Sequence, residues 1–301
     1  MTTAASAPGG YDQSEMNEVL RQACAIAGLD PSDAQLLRGH TNAVILLRKE
    51  EVVVKIARRG SDAGGVRRTV EFVRWLMDMG FPTVPLHNTK QPVVVDEHSV
   101  TFWTYLPQPE HPVDAAQLAK PLHALHTLPS SAMPVRDHNN LRAIRKSLAA
   151  ITCLPASSLQ FLSRLADQLE EELHHVEFVL QEGIIQGDPQ HRNALHSPDG
   201  GAVLCDWDTV AHGQPEWDLV TVEVHCRRFG YGSAHYQGFV EAYGWDVVDW
   251  PGYATLAAVR ELRMITTNAA KVHHAPATQD EVERRVDGLR RNDPQLRWRI
   301  L

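Results

Sequence analysis

Cysteine is scarce in this chain, and Cys24, Cys153, Cys205 and Cys226 are scattered with no CxxC pair. That argues against a disulfide framework and for buried free thiols. Long apolar runs are missing as well, so no segment reads as a transmembrane span. The opening MTTAASAPGG lacks both a basic start and an apolar stretch; it reads as a flexible tail over residues 1–11 rather than a signal peptide, and a cytoplasmic location follows as an expectation. No internal repeat or low-complexity domain is found. There are 16 histidines, but no HExxH, and His174-His175 cannot chelate from one helix face, so no transition-metal site is expected. Positive charge is also in deficit. The net charge of −8 disfavours nucleic acid as the main partner and favours a cationic small molecule. What the chain does have is 43% hydrophobic and 22% charged residues over 301 positions, enough to bury a sizeable core in one or two globular lobes.

The most informative stretch is residues 183 to 208, GIIQGDPQHRNALHSPDGGAVLCDWD. Ile184-Ile185 ends a short strand, and the Gly187-Asp188-Pro189 turn that follows cannot continue a ladder, which leaves the Asp188 carboxylate exposed. Asn193 comes five residues later. Two short apolar runs then flank Ser197 to Gly201, a hairpin signal that folds Asp206 back beside Asn193. A carboxylate and an amide oxygen suit a hard cation such as Mg²⁺, which bridges nucleotide phosphates. Asp188 is then free for a reacting hydroxyl. Protein kinases divide the labour in the same way: a catalytic Asp, an Asn five residues on, and a second Asp beyond a hairpin on the metal.

Three pieces in order, QGDPQHRN, DWD and GQPEWDL, resemble the aminoglycoside phosphotransferase family, whose pattern runs roughly HGDxxxxN, DWD or DWE, then GxPxxDL. The one plain departure is Gln186, where the family usually has His. The resemblance implies an α+β, two-lobed, protein-kinase-like fold. Its small N-terminal lobe is an antiparallel sheet with a helix (residues 12–106), and its larger, mainly helical C-terminal lobe carries catalysis and acceptor binding (residues 107–301). It also implies that Asp218 braces the catalytic loop from a helix start; a plain charge favoured by the helix dipole is the other reading. Asp208 either supports the metal site or is an exposed hairpin-end charge.

Phosphoryl transfer asks the N-terminal third for a nucleotide cradle. Residues 12–27 have the pattern of an amphipathic helix ending at Gly28, with Met16, Val19, Leu20 and Ala23 on one side. Residues 35–47 and 51–57 read as strands, with a turn at Gly39, His40, Thr41 and Asn42 that lies over the phosphates but lacks the repeated glycines of the protein-kinase loop. Lys55 interrupts an apolar strand, and a buried ammonium needs an anionic partner; the α/β-phosphates are one and Glu71, on a helix over residues 65–79, is another. A strand follows at 81–87, then a hairpin over 92–96 and 99–107, whose second strand leads into the hinge that the resemblance assigns to adenine.

Beyond it, Asp114 and Gln117 form a capping box, a helix is predicted from 158 to 181, and further helices run through 242 and from 253 to 271. The expected activity is transfer of the γ-phosphoryl group of ATP or GTP, with Mg²⁺, to a hydroxyl of a small, cationic antibiotic such as an aminoglycoside. A kinase of a small metabolite such as choline, homoserine or an amino sugar is the alternative, and a catalytically inactive nucleotide-binding relative the third. Neither nucleic acid nor membrane is an expected partner, and the chain is read as a monomer or dimer.

Overall fold

The computed structural model describes residues 6–7, 11–39, 42–129 and 133–301. In chain order the elements are β1 (Ser6–Ala7), β2 (Tyr11–Asp12), α1 (Gln13–Ala27), β3 (Ala34–Gly39), β4 (Ala43–Leu47), β5 (Val52–Ile56), α2 (Ala63–Asp78), β6 (Val93–Val95), β7 (His98–Thr104), α3 (Ala115–His126), α4 (Asn140–Ala150), α5 (Ala156–Leu173), β8 (Gly183–Ile185), β9 (Ala194–His196), β10 (Ala202–Leu204), β11 (Ala211–Gly213), α6 (Glu216–Arg228), α7 (Ser233–Tyr243), α8 (Tyr253–Lys271) and α9 (Gln279–Arg290). They form two compact units, Met1–Pro112 with Leu195–Asp208, and Val113–Ala194 with Thr209–Leu301.

The first unit is built on a five-stranded antiparallel sheet in the order β3-β4-β5-β7-β6. Strand β5 shows why it forms: Val52, Val54 and Ile56 are buried, while Val53 and Lys55 between them are not, the two-residue alternation of a pleated strand. The buried set packs against α1 through Met16, Val19, Leu20 and Ala23, so Lys55 stands on the other face of the sheet. Helix α1 begins where the Asp12 carboxylate accepts the Glu15 amide and ends at Gly28, whose φ of 74° suits a residue without Cβ. Between β6 and β7 the turn places Asp96 and Glu97 at φ 45° and 67°, both in the left-handed region that a tight hairpin requires.

Several boundaries differ from the sequence reading. Within the expected tail, β1 and β2 pair antiparallel. The segment 81–87 is no regular strand; it makes isolated bridges, Thr83 to Leu204 and Leu86 to Trp103, because Pro82 and Pro85 withhold the donors that a ladder needs. Helix α5 stops at Leu173 rather than 181. Beyond it the amides of Val179 and Leu180 go to the buried Glu216 carboxylate, each at 2.7 Å, and not to an i−4 carbonyl. Helices α4 and α9 were not anticipated.

The second unit is mainly helical, with one short ladder in which β11 runs antiparallel to β8. Its α3 carries the capping box, with the Asp114 carboxylate accepting the Gln117 amide and the Gln117 side chain accepting the Asp114 amide. Buried α6 is enclosed on nearly every side, including Trp217, Asp218, Leu219 and Val220.

Candidate active site

In the first unit, β10 delivers the DWD triplet. Leu204 exchanges backbone hydrogen bonds with Pro82 and Val84 at 3.0 Å each, which ties the hairpin arm to the 82–84 segment. Trp207 is then fully buried, its ring centroid 5.3 Å from Phe72 and 6.1 Å from Phe81, and its indole N–H donates to Thr83 Oγ1 at 2.8 Å. With that anchor in place, the flanking carboxylates converge on one cation. Lys55 Nζ lies 2.8 Å from Asp206 Oδ1 and 2.8 Å from Asp208 Oδ2. Burial alone would lower the Lys55 pKa, but the two carboxylates outweigh it and hold the ammonium above its ordinary value. Asp206 itself sits at φ 58°, a conformation Asp tolerates better than most residues.

The partner expected for Lys55, Glu71, is not the one found. The buried face of α2 is Val70, Phe72, Val73 and Leu76, which turns Glu71 to solvent. Gly39 and Asn42 flank the β3–β4 turn, and Thr41 lies outside the described residues.

In the second unit, the backbone of Gln186 and Gly187 is held at all four polar atoms. Asp218, 0% exposed in the first turn of α6, accepts the Gln186 amide at 2.7 Å and the Gly187 amide at 2.9 Å. Thr209 Oγ1 donates to the Gln186 carbonyl at 3.0 Å and the Trp217 indole to the Gly187 carbonyl at 2.8 Å. Gly187 has φ 85°, and a Cβ there would stand 2.4 Å from the Thr209 carbonyl oxygen, so only glycine fits the turn. Asp218 also meets His126 Nε2 at 3.1 Å, and His126 Nδ1 meets the Tyr243 hydroxyl at 2.8 Å. At the position that departs from the family pattern, Gln186 is fully buried and its Oε1 accepts the Asp188 amide at 2.6 Å.

The Asp188 carboxylate is half-buried, with 26% of the side chain exposed. Gln190 donates to its Oδ2 at 3.0 Å. Asn193, 4% exposed, donates through Nδ2 to the Asp188 carbonyl at 2.9 Å, with Oδ2 of the same residue 3.4 Å away. With Nδ2 committed, Oδ1 is the Asn193 atom left to bind a ligand.

Sequence reasoning missed Arg260. From α8 its Nη2 pairs with Asp188 Oδ1 and lies 3.2 Å from His225 Nε2, with the guanidinium 5.6 Å from the Trp217 ring centroid. Arg260 is 5% exposed and its Nε has no partner among the described residues. His225 is held well below the ordinary histidine range, first by burial and then by Arg260, so it faces the guanidinium as a neutral ring. A second arginine of α8, the half-buried Arg263, donates to Asn140 Oδ1 and stands 3.3 Å from His138 Nε2. Burial and the neighbouring Arg260 lower the Arg263 pKa to about 10. The available signal was an arginine among the apolar positions of α8, Leu256, Val259 and Leu262, which demands a buried acceptor but does not name one.

An antiparallel sheet carrying a lysine between two carboxylates, and a helical unit carrying a clamped Gly-Asp turn, define an α+β protein of the protein-kinase-like fold. The model of the phosphotransferase enzyme family (APH) matches residues 33–259, more than half of the chain, and the chain belongs to that family. No curated protein sequence matches it significantly. Among solved structures it is similar to amicoumacin kinase hAmiN in complex with AMP-PNP, Ca²⁺ and Ami, with TM-score 0.71, 13% identity and 96% of each chain covered. It is also similar to choline kinase LicA from Streptococcus pneumoniae, with TM-score 0.63, 14% identity, 91% of this chain and 99% of that one. Spectinomycin phosphotransferase APH(9)-Ia in complex with ADP and spectinomycin gives TM-score 0.62, 16% identity, 93% of this chain and 95% of that one.

Proposed function

We propose that the protein is a nucleoside triphosphate-dependent O-phosphotransferase that moves the γ-phosphoryl group of ATP or GTP to a hydroxyl of a small, cationic antibiotic. The observation that carries this reading is Asp188, whose half-buried carboxylate is held by Arg260 and Gln190 on a turn clamped at four backbone atoms. Such a group is pre-aligned for a hydroxyl, and alignment is most of what phosphoryl transfer asks of a protein.

The acceptor oxygen attacks the γ-phosphorus, the bond from that phosphorus to the β,γ-bridging oxygen breaks, the nucleoside diphosphate leaves, and the hydroxyl proton passes to Asp188. Lys55 holds the α/β-phosphates, exchanging its carboxylate partners for phosphate oxygens. Asp206 and Asn193 are hard oxygen donors of the kind that Mg²⁺ prefers, and they are the residues that would hold it. Bound Mg²⁺ supplies neutralisation of phosphate charge. Asp208 shares Lys55 with Asp206 until the phosphates take their place, and Asp218 braces the loop. Glu71, Gly39, Thr41 and Asn42 remain candidates for shaping the nucleotide cradle, Glu71 without the Lys55 pairing. The excess of 37 acidic over 29 basic residues favours a cationic acceptor. No helix among the described residues is long and apolar enough to cross a membrane; the need for ATP is the reason to place the enzyme in the cytoplasm.

A kinase of a small metabolite is the second reading, favoured by the likeness to a choline kinase. Purified protein is assayed for ATP and GTP turnover with Mg²⁺ against aminoglycosides, other antibiotics, choline, homoserine and amino sugars. Turnover on an antibiotic, lost in Asp188→Ala, is the expected result. Turnover only on a metabolite selects the second reading, and unchanged turnover in Asp188→Ala overturns the mechanism.

A further inference from the structure

The turn that carries Asp188 and Asn193 also carries His191, which the phosphoryl-transfer reading does not use. Its ring is 2% exposed and packs among groups from two other elements. Helix α6 supplies Cys226, also buried, and α7 supplies His235, half-buried. His191 Nε2 and His235 Nε2 face each other at 2.7 Å, and a ligand atom from each of His191, Cys226 and His235 lies within 4.8 Å of the other two. Tyr231 stacks on both imidazoles, at 4.3 Å and 15° on His191 and at 5.3 Å and 19° on His235, which holds the two rings nearly face to face with it.

We propose that His191, Cys226 and His235 form a zinc site that ties the catalytic turn to helices α6 and α7. Two imidazole nitrogens and a thiol sulfur are the donor set of a borderline-soft cation, not of Mg²⁺ or Ca²⁺. Zn–N bonds of about 2.0 to 2.1 Å and a Zn–S bond of about 2.3 Å at tetrahedral angles set the nitrogens about 3.4 Å apart and the sulfur about 3.6 Å from each; the sulfur, within 4.8 Å of both, closes in, and the facing rings open by about 0.7 Å to admit the ion. That is a small rotation for His235, the half-buried member. The protein's own hydrogen bonds do not complete the cluster. Only one proton fits between the facing nitrogens, and the one further bond to His235 Nε2, from the Ala115 amide at 3.2 Å, is a contact that zinc displaces.

Binding displaces the Cys226 thiol proton to solvent as the sulfur becomes a thiolate ligand. Three protein ligands leave a fourth position for water on the side of His235 that solvent reaches. The consequence lies at Asp188 and Asn193, on either side of His191 in the chain. A metal bond to His191 fixes the short turn between them against two helices, adding a cross-link where the loop is otherwise held by hydrogen bonds.

The test is metal uptake, which is independent of phosphotransfer, so its failure leaves the functional reading untouched. Full-length protein is stripped with a chelator, then titrated with Zn²⁺ or Co²⁺ alone, and bound metal is counted by mass spectrometry of the elements. The expected result is one zinc per chain, a near-ultraviolet thiolate-to-cobalt charge-transfer band, and a rise in melting temperature on adding Zn²⁺. Cys226→Ala should abolish the charge-transfer band, and His235→Gln should weaken zinc binding by more than about tenfold, a loss of about 1.4 kcal/mol. Cys24→Ala, a buried cysteine of the other unit, should change neither. Should Cys226→Ala fail to fold by circular dichroism, His235→Gln at the half-buried position decides. No zinc uptake, or a full stoichiometry and affinity in His235→Gln, overturns the site.

Discussion

Replacing Asp218 by asparagine changes one atom's chemistry at a place where the volume barely changes. In the parent, one oxygen of the carboxylate accepts the Gln186 amide at 2.7 Å, the other accepts the Gly187 amide at 2.9 Å, and the residue is 0% exposed. An asparagine offers a single acceptor oxygen. With that oxygen kept on Gln186, its NH₂ faces the Gly187 N–H, so one charge-assisted hydrogen bond is lost and a buried donor is left unpaired. A hydrogen bond to a charged group is worth about 1.5 to 3 kcal/mol, and an unsatisfied buried group costs about 1 to 3 kcal/mol. Relief from burying a carboxylate offsets part of this. The expected net destabilisation is about 2 to 4 kcal/mol, a large fraction of the total for a typical domain. Urea unfolding followed by tryptophan fluorescence measures it, and Trp217 is the apt reporter because its indole bonds the same Gly187 carbonyl. Under conditions where the variant stays folded, turnover should fall at least about tenfold, since a loosened loop misplaces Asp188. A variant within about 0.5 kcal/mol of the parent, with parental turnover, would refute the brace.

Three further outcomes are expected. Lys55→Met removes the cation shared by Asp206 and Asp208; loss of one charge-assisted contact of about 1.5 to 3 kcal/mol should lower kcat/KM for the nucleotide by about ten- to a hundredfold in steady-state assays. Arg260→Lys keeps the charge but loses the guanidinium whose single nitrogen Nη2 meets both Asp188 and His225, so kcat should drop about tenfold while the nucleotide KM stays within about twofold. His138 is pushed down to about 3 from its ordinary 6.5, chiefly by burial and then by Arg263. The unfolded chain therefore takes up a proton that the folded one refuses, and stability falls as pH drops from about 6.5 towards 3 by up to about 1.4 kcal/mol per pH unit. Denaturation across that range should show a shallower slope in His138→Phe; an unchanged slope would remove His138 from the account.

Residues 183 to 208 were legible because their structure is local. The Gly-Asp-Pro turn, the Ser197 to Gly201 hairpin and the alternation of β5 each arise from neighbours a few residues apart, whose dihedral limits and side-chain period are printed in the order of residues. Asp12 and Gly28 bounding α1, and Asp114 with Gln117 opening α3, are of the same kind. Boundaries failed where distant groups took over the backbone: α5 ends early and the amides of Val179 and Leu180 turn to Glu216, which no window around residue 175 contains.

The partners of long or buried polar side chains followed the other rule. Lys55 read by itself demanded an anion, and nearby Glu71 was the candidate, but the rotation of α2 that buries Val70, Phe72 and Val73 sends Glu71 outward while the burial of Trp207 brings in Asp206 and Asp208. Arg260 meets Asp188 across 72 residues, and His191, Cys226 and His235 come from three elements. Composition, period and motif order determined the elements, the family and the chemistry on offer, because these depend on residues adjacent in the chain. Only the packing of helix against sheet and helix against helix decided which charge each charge meets, because that contact is the residue of many burials settled at once.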